Sequence, residues 1–158
     1  MNPSIESQDS LFVELDDHDL SRQQALANQA LLRKAQGDLE GALRLYRQAE
    51  SVSRQSDDAA VLSAALGHQA VILQTQGDLQ GALRLLQEKE AICRRLNDPN
   101  GLARALSTQA SLLAFKQGQP ATGLALAEEA LRIATEHGHL VLARQIEPIV
   151  NEIRGLLP

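Results

Sequence analysis

Apolar residues recur along this chain at spacings of three and four, interrupted at short intervals by Gly-Asp, Asp-Asp or Asn-Asp-Pro. That spacing belongs to amphipathic helices, and it predicts three helix–turn–helix units and a solitary terminal helix. A first helix from about Leu20 to Gln36 puts Leu26, Ala30 and Leu31 on one side and leaves Arg22, Arg33 and Lys34 in water. Gly37 stops it, supplying the left-handed conformation that helix ends favour, and Asp38 caps the next helix with its carboxylate. That second helix carries Leu39, Ala42, Leu43, Leu45, Tyr46 and Ala49 and runs to about Ser56, where Asp57-Asp58 breaks and caps again. A third covers about Ala59 to Gln76, with Leu62, Ala65, Leu66, Ala70 and Leu73, and a fourth runs from Leu79 to Leu96 after Gly77-Asp78. Asn97-Asp98-Pro99 is a boundary, because proline suits the first turn of the helix it opens. The fifth helix spans about Asn100 to Gln117 and ends at Gly118. Pro120 opens the sixth, which Gly138 closes after about His137. The last, about Leu140 to Leu156, contains Pro148, which removes a hydrogen bond and is expected to kink it.

The pattern repeats as words as well as periods. Gln36-Gly37-Asp38-Leu39-Glu40-Gly41-Ala42-Leu43-Arg44-Leu45 returns 40 residues later as Gln76-Gly77-Asp78-Leu79-Gln80-Gly81-Ala82-Leu83-Arg84-Leu85. A looser version starts at Gln117-Gly118, one residue beyond that period, which places a helix bulge or a longer turn between Ala110 and Gly118. Self-similarity at about 20–50 residues is the mark of a solenoid. Units of this kind cannot bury an apolar face alone, so neighbours stack. Arg144, Glu147, Glu152 and Arg154 give the last helix a wet face, as a terminal cap needs.

Composition narrows the core. Hydrophobic residues make up 44% of the 158, yet aromatics are only 2% and tryptophan is absent. Leu, Ala, Ile and Val must therefore fill the interior at close helix–helix approach. No apolar run reaches the ~20 residues of a membrane span, and no leader with a cleavage site opens the chain, so secretion is not expected. A single Cys93 has no disulfide partner and no metal cluster around it; a reducing, cytoplasmic setting is expected. The net charge of −5 is concentrated in residues 1–20, where Glu6, Asp9, Glu14, Asp16, Asp17 and Asp19 meet no Lys or Arg. The remainder is close to neutral and lacks the basic stripe that nucleic acid needs. Residues 1–19 also hold an apolar knot at Leu11, Phe12, Val13 and Leu15. They read as a terminus covering the edge of the first unit, or as a tethered acidic–hydrophobic segment that docks in a groove.

Gly37-Asp38-Leu39 followed by Ala42, Tyr46 and Ala49 resembles a tetratricopeptide repeat (TPR). Gly77-Asp78-Leu79, Ala82 and Leu86 follow suit, although Lys89 stands where the family has Ala; Gly118, Gly123, Ala127 and Ala130 give a third match. The period of 40 exceeds the family's usual ~34 and is similar to that of the long-repeat branch seen in kinesin light chains and bacterial regulatory arrays. The resemblance implies an all-α, right-handed α-solenoid of three TPR-like repeats (20–57, 58–98 and 99–138) with a capping helix at 139–158. It also implies a concave surface lined by the first helix of each pair. By register, that surface takes Gln24, Asn28 and Leu31, then Ala64, His68 and Val71, then Arg104, Ser107, Thr108 and Ser111, alongside Ala27 and Gly67. The lysine positions of a carboxylate clamp are here Ala27, Gly67 and Ser107, so a chaperone-type clamp is not expected. A small, mildly apolar groove suits an amphipathic helix or extended segment of a protein partner.

Other features carry less. Gln29, Gln69 and Gln109 recur in step, either as a ladder that ties helices together or as a row that reads a ligand's backbone. His137 and His139 flank Gly138 without a third ligand, so no metal is expected. Cys93 reads as a core residue. Nucleophile-elbow, zinc-protease and phosphate-loop motifs are absent. The chain therefore reads as a non-catalytic adaptor or scaffold with no cofactor, no membrane and no nucleic acid. The alternative is a structural unit that dimerises or stacks through its terminal helices.

Overall fold

The computed structural model describes residues 22–158, and among these every regular element is helical. Helix α1 spans 22–35. It is followed by α2 (Leu39–Gln55), α3 (Ala59–Thr75), α4 (Leu79–Leu96), α5 (Pro99–Ser111), α6 (Pro120–Glu136) and α7 (Leu140–Arg154). The acidic segment, its apolar knot and the expected start of the first helix at Leu20 lie outside the described residues.

One turn design joins these helices. A residue in the left-handed region precedes the N-cap position of each of α2 to α7, and at the first four of these turns the N-cap side chain bonds the helix it opens, whereas Gln119 and His139 make no such bond. Gly37 and Gly77 take φ of 81° and 86°, and Asp57 and Asn97 adopt the same region at 54° and 52°. Asp and Asn tolerate it because a short polar side chain can bond locally. The N-caps are Asp38, Asp78 and Asp98, whose Oδ1 atoms accept from the N–H of Gly41, Gly81 and Gly101 at 2.8, 2.8 and 2.9 Å. Asp58 does the same for Val61 at 3.0 Å. The glycines three residues on are part of the device: a Cβ at Gly41, Gly81 or Gly101 would collide with the capping carboxylate. The cap N–H also closes the preceding helix, from Asp38 to the carbonyl of Arg33, Asp58 to Ser53, Asp78 to Leu73, Asp98 to Cys93 and His139 to Ala134. Each of these bonds reaches five residues back.

In the third pair the same bond runs from Gln119 to Leu113, six residues back. The extra residue is absorbed by a π-helical turn, Leu112–Lys116, that continues α5. A π turn admits one residue without breaking the helix, which is how the 41-residue offset keeps its register. Helix α7 continues through Pro148.

Packing divides the chain into two compact units, one ending at Ala65 and one running from Leu66 to Pro158. In the first, α2 buries Ala42, Leu43, Tyr46, Ala49 and Val52 on one side, and Gln23 of α1 donates through Nε2 to Ser56 Oγ at 2.7 Å. In the second, Ala70, Ala82, Leu86 and Leu112 form one cluster. A larger one joins Ala103, Leu106 and Ala110 of α5 to Ala127 and Ala130 of α6 and to Leu142, Ile146, Val150 and Ile153 of α7. Alanines at the crossings let backbones approach closely, as a core nearly free of aromatics requires. Helix α7 turns Arg144, Glu147 and Asn151 to solvent, and Arg154 Nη2 pairs with Glu128 Oε1 of α6 at 2.8 Å.

Candidate functional site

In the first unit, Gln24 and Asn28 of α1 and Ala64 of α3 are exposed, as is Leu31 at 46% of its surface. In the second, α3 presents Val71, 38% exposed, with His68 half-buried one turn earlier. Helix α5 presents Arg104 in water and half-buries Thr108 and Ser111. Ser107 departs from the expected surface: it is 8% exposed.

The hydroxyls of α5 spend their protons on their own helix. Ser107 Oγ donates to the Arg104 carbonyl at 3.1 Å, Thr108 Oγ1 to the same carbonyl at 2.9 Å, and Ser111 Oγ to the Ser107 carbonyl at 3.1 Å. Such back-bonding leaves the oxygens with acceptor capacity only. This strip can accept hydrogen bonds from a partner and can cover apolar surface.

The glutamine row separates by position. Gln109 is 3% exposed and its Nε2 donates to Glu90 Oε2 at 2.8 Å, with a longer contact of 3.5 Å to the Leu86 carbonyl. It ties α5 to α4, the ladder role. Gln69 is equally buried, whereas Gln29 is exposed. Gln109 reaches the second helix of the pair before it, and no such helix precedes α1 among the described residues. Glu90 also takes Arg94 through Oε1 at 2.9 Å, and Arg94 reaches Glu129 of α6 at 2.9 Å. Glu50 and Arg54 repeat the first of these pairs at 2.8 Å.

Cys93 is fully buried, with Sγ 3.9 Å from Asp98 Oδ2. A cleft of about 320 Å³ opens nearby, lined by Arg94, Asn97, Asp98, Leu102 and His137 among others. The described residues bring together no group of three or more His, Cys, Asp or Glu able to hold a metal ion. None of their helices is long and apolar enough to cross a membrane.

Register reasoning from the first helices alone leaves out Lys89 of α4. Its ammonium lies against α3 at Gly67, where an added Cβ would meet Nζ at 2.7 Å. Burial pushes this amine below its ordinary pKa, partly offset by the charges of Cys93 and Asp98, and Arg104 lowers it further. The signal was in the sequence as a pair: a lysine where the other second helices carry Ala49 and Ala130, matched by a glycine where the other first helices carry Ala27 and Ser107.

Helix pairs at a 40-residue period, joined by one turn design and packed through alanines, define a TPR-like helical repeat protein. The fold is similar to that of a solved structure of nearly identical TPR-like repeats assigned to a kinesin light chain of Podosopora anserina. The TM-score is 0.64 at 19% identity, over 86% of this chain and 72% of that one. No protein-family model and no curated protein matches the chain.

Proposed function

We propose that this chain is a non-catalytic interaction module, an adaptor or scaffold whose first-helix surface takes a peptide or helical segment of a partner protein. The observation that carries the reading is the contrast within the second unit. Ala103, Ala105, Leu106 and Ala110 of α5 are fully packed. The side bearing Arg104, Thr108 and Ser111 stays open, with its hydroxyl protons already satisfied internally. Exposed Val71 of the same unit adds an apolar contact that an amphipathic ligand would bury. A buried cysteine and the near-neutral charge of residues 21–158 agree with a cytoplasmic protein that binds protein rather than nucleic acid.

The test is capture from lysate by the wild type beside Leu31→Glu/Val71→Glu. Both positions are exposed, so the variant should fold, which circular dichroism verifies. A protein retained by the wild type and lost from the variant supports the module. Recovery of the chain alone from both samples transfers the reading to self-assembly.

A further inference from the structure

Three positions of α1 stand open where their counterparts in the later first helices are covered. At the 40-residue period Ala25 matches Ala65 and Ala105, Gln29 matches Gln69 and Gln109, and Leu32 matches Ile72 and Leu112. All six counterparts are buried, Ile72 and Leu112 completely, whereas Ala25, Gln29 and Leu32 are exposed, Leu32 at 65%. Spacings of four and three put the three on one stripe of the helix. What fills such a stripe is seen on α5. There α4, the second helix ahead of it, takes Gln109 through Glu90 and gathers Leu112 into a cluster with Ala82 and Leu86. By register, the open stripe of α1 is the seat of a segment that stands ahead of α1 in the chain.

Residues 1–21 stand there. Helix α2 and its turn to α3 occupy residues 39–58, so the stretch ahead of α1 is as long as a second helix with its turn. Its register matches as well. At the same period Asp17 falls on Asp57 and Asn97, the left-handed residues ahead of α3 and α5. Phe12 and Val13 fall on Val52-Ser53 of α2 and Ile92-Cys93 of α4, all buried. Farther upstream the match fades, since Glu6 falls on Tyr46 and Leu86. Charge agrees with the pairing. Residues 1–20 carry Glu6, Asp9, Glu14, Asp16, Asp17 and Asp19 and no Lys or Arg, whereas α1 carries Arg22, Arg33 and Lys34 and no Asp or Glu. Of these three cations Arg33 already holds Asp38. A tether this short keeps the segment at roughly millimolar effective concentration beside α1, which favours the chain's own segment over that of a second copy.

We propose that residues 11–17 of the chain seat on the Ala25–Gln29–Leu32 stripe of α1, with Phe12 and Val13 as the apolar anchors. The contact is firmest at Ala25 and weakest at Leu32, because Leu112, the counterpart of Leu32, clusters with Leu86 and the segment offers Glu6 in its place. The stripe is distinct from the surface bearing Gln24, Asn28 and Leu31, so the inference stands apart from the proposed module.

The test is thiol reactivity in the full chain, with Ala25→Cys, Gln29→Cys and Gln24→Cys made one at a time and a maleimide as the probe. All three positions are exposed, so the variants fold, and buried Cys93 gives the background in the wild type. Each rate is divided by that of the same variant in denaturant. Ala25→Cys and Gln29→Cys should react roughly tenfold or more slowly than Gln24→Cys, the protection of a seat filled about nine-tenths of the time. With Phe12→Ser/Val13→Ser added, the three should react alike. Equal rates at the three sites without that change, or protection that survives it, overturn the proposal. Protection that grows with protein concentration also overturns it and hands the stripe to a second copy.

Discussion

Gly123 of α6 faces the end of α5 at a distance that admits no side chain. A methyl there would lie 2.8 Å from the carbonyl oxygen of Ala110, 2.8 Å from Cβ of Ala114 and 3.2 Å from its backbone nitrogen. Ordinary contact begins near ~3.5 Å, and the obstructing atoms are backbone or Cβ, so relief requires α6 to withdraw or the π-helical turn to shift. Overpacking of this kind costs about 1–3 kcal/mol, against about 1 kcal/mol gained in helix propensity when Gly becomes Ala. Gly123→Ala should therefore lose up to about 2 kcal/mol, a fall in Tm of up to about 8 °C. Gly67→Ala is the matched control. Its new methyl meets Lys89 Nζ, the far end of a flexible chain, so the propensity gain should survive and Tm should hold or rise. Calorimetry on the two variants and the wild type decides the matter. If Gly123→Ala melts at or above the wild type, or if both variants move together, close approach at the α5–α6 crossing is not what the glycine provides.

Further outcomes follow from the caps and the buried groups. Asp78→Ala removes the bond to the Gly81 N–H and should cost about 1 kcal/mol in urea unfolding, while Asp78→Asn should retain most of it. Lys89→Met keeps the stem and removes the ammonium, and should raise Tm at neutral pH by about 2–4 °C, or ~1 kcal/mol in a chain of this length. Because the folded pKa of Lys89 is lowered, the wild-type penalty is full at low pH and fades as pH climbs toward the unfolded value near ~10.4. The advantage of Lys89→Met should shrink over that climb, and a constant advantage would argue against burial of charge. Tyr46 is the sole tyrosine, so absorbance at ~295 nm reports it alone. Burial pushes its phenol up, so it should titrate above 10 when folded and fall back on denaturation. Its contribution to stability should be intact below the unfolded value and lost as pH rises through the folded one.

The sequence by itself determined the helices, their turns and their repetition. Gly37-Asp38, Asp57-Asp58 and Asn97-Asp98 dictate a left-handed stop and a cap through interactions spanning five residues or fewer, so local chemistry was enough. The offset of one residue before Gly118 was legible too, but not its form. Whether an extra residue becomes a longer turn or a π turn depends on how α5 must meet its neighbours, and Leu112, in register with the Ala70 cluster, decides for the helix. The candidate surface was legible as a register and less so as a surface. Ser107 follows the spacing of an open position yet is buried, because exposure is set by what packs across from a residue. Gln29 and Gln109 have the same local sequence role, and only the presence of Glu90 and Leu86 beside one of them makes it a tie between helices. Lys89 shows the limit most plainly. A lysine in place of an alanine can be read from the chain, but its meeting with a glycine 22 residues earlier exists only once α3 and α4 lie side by side.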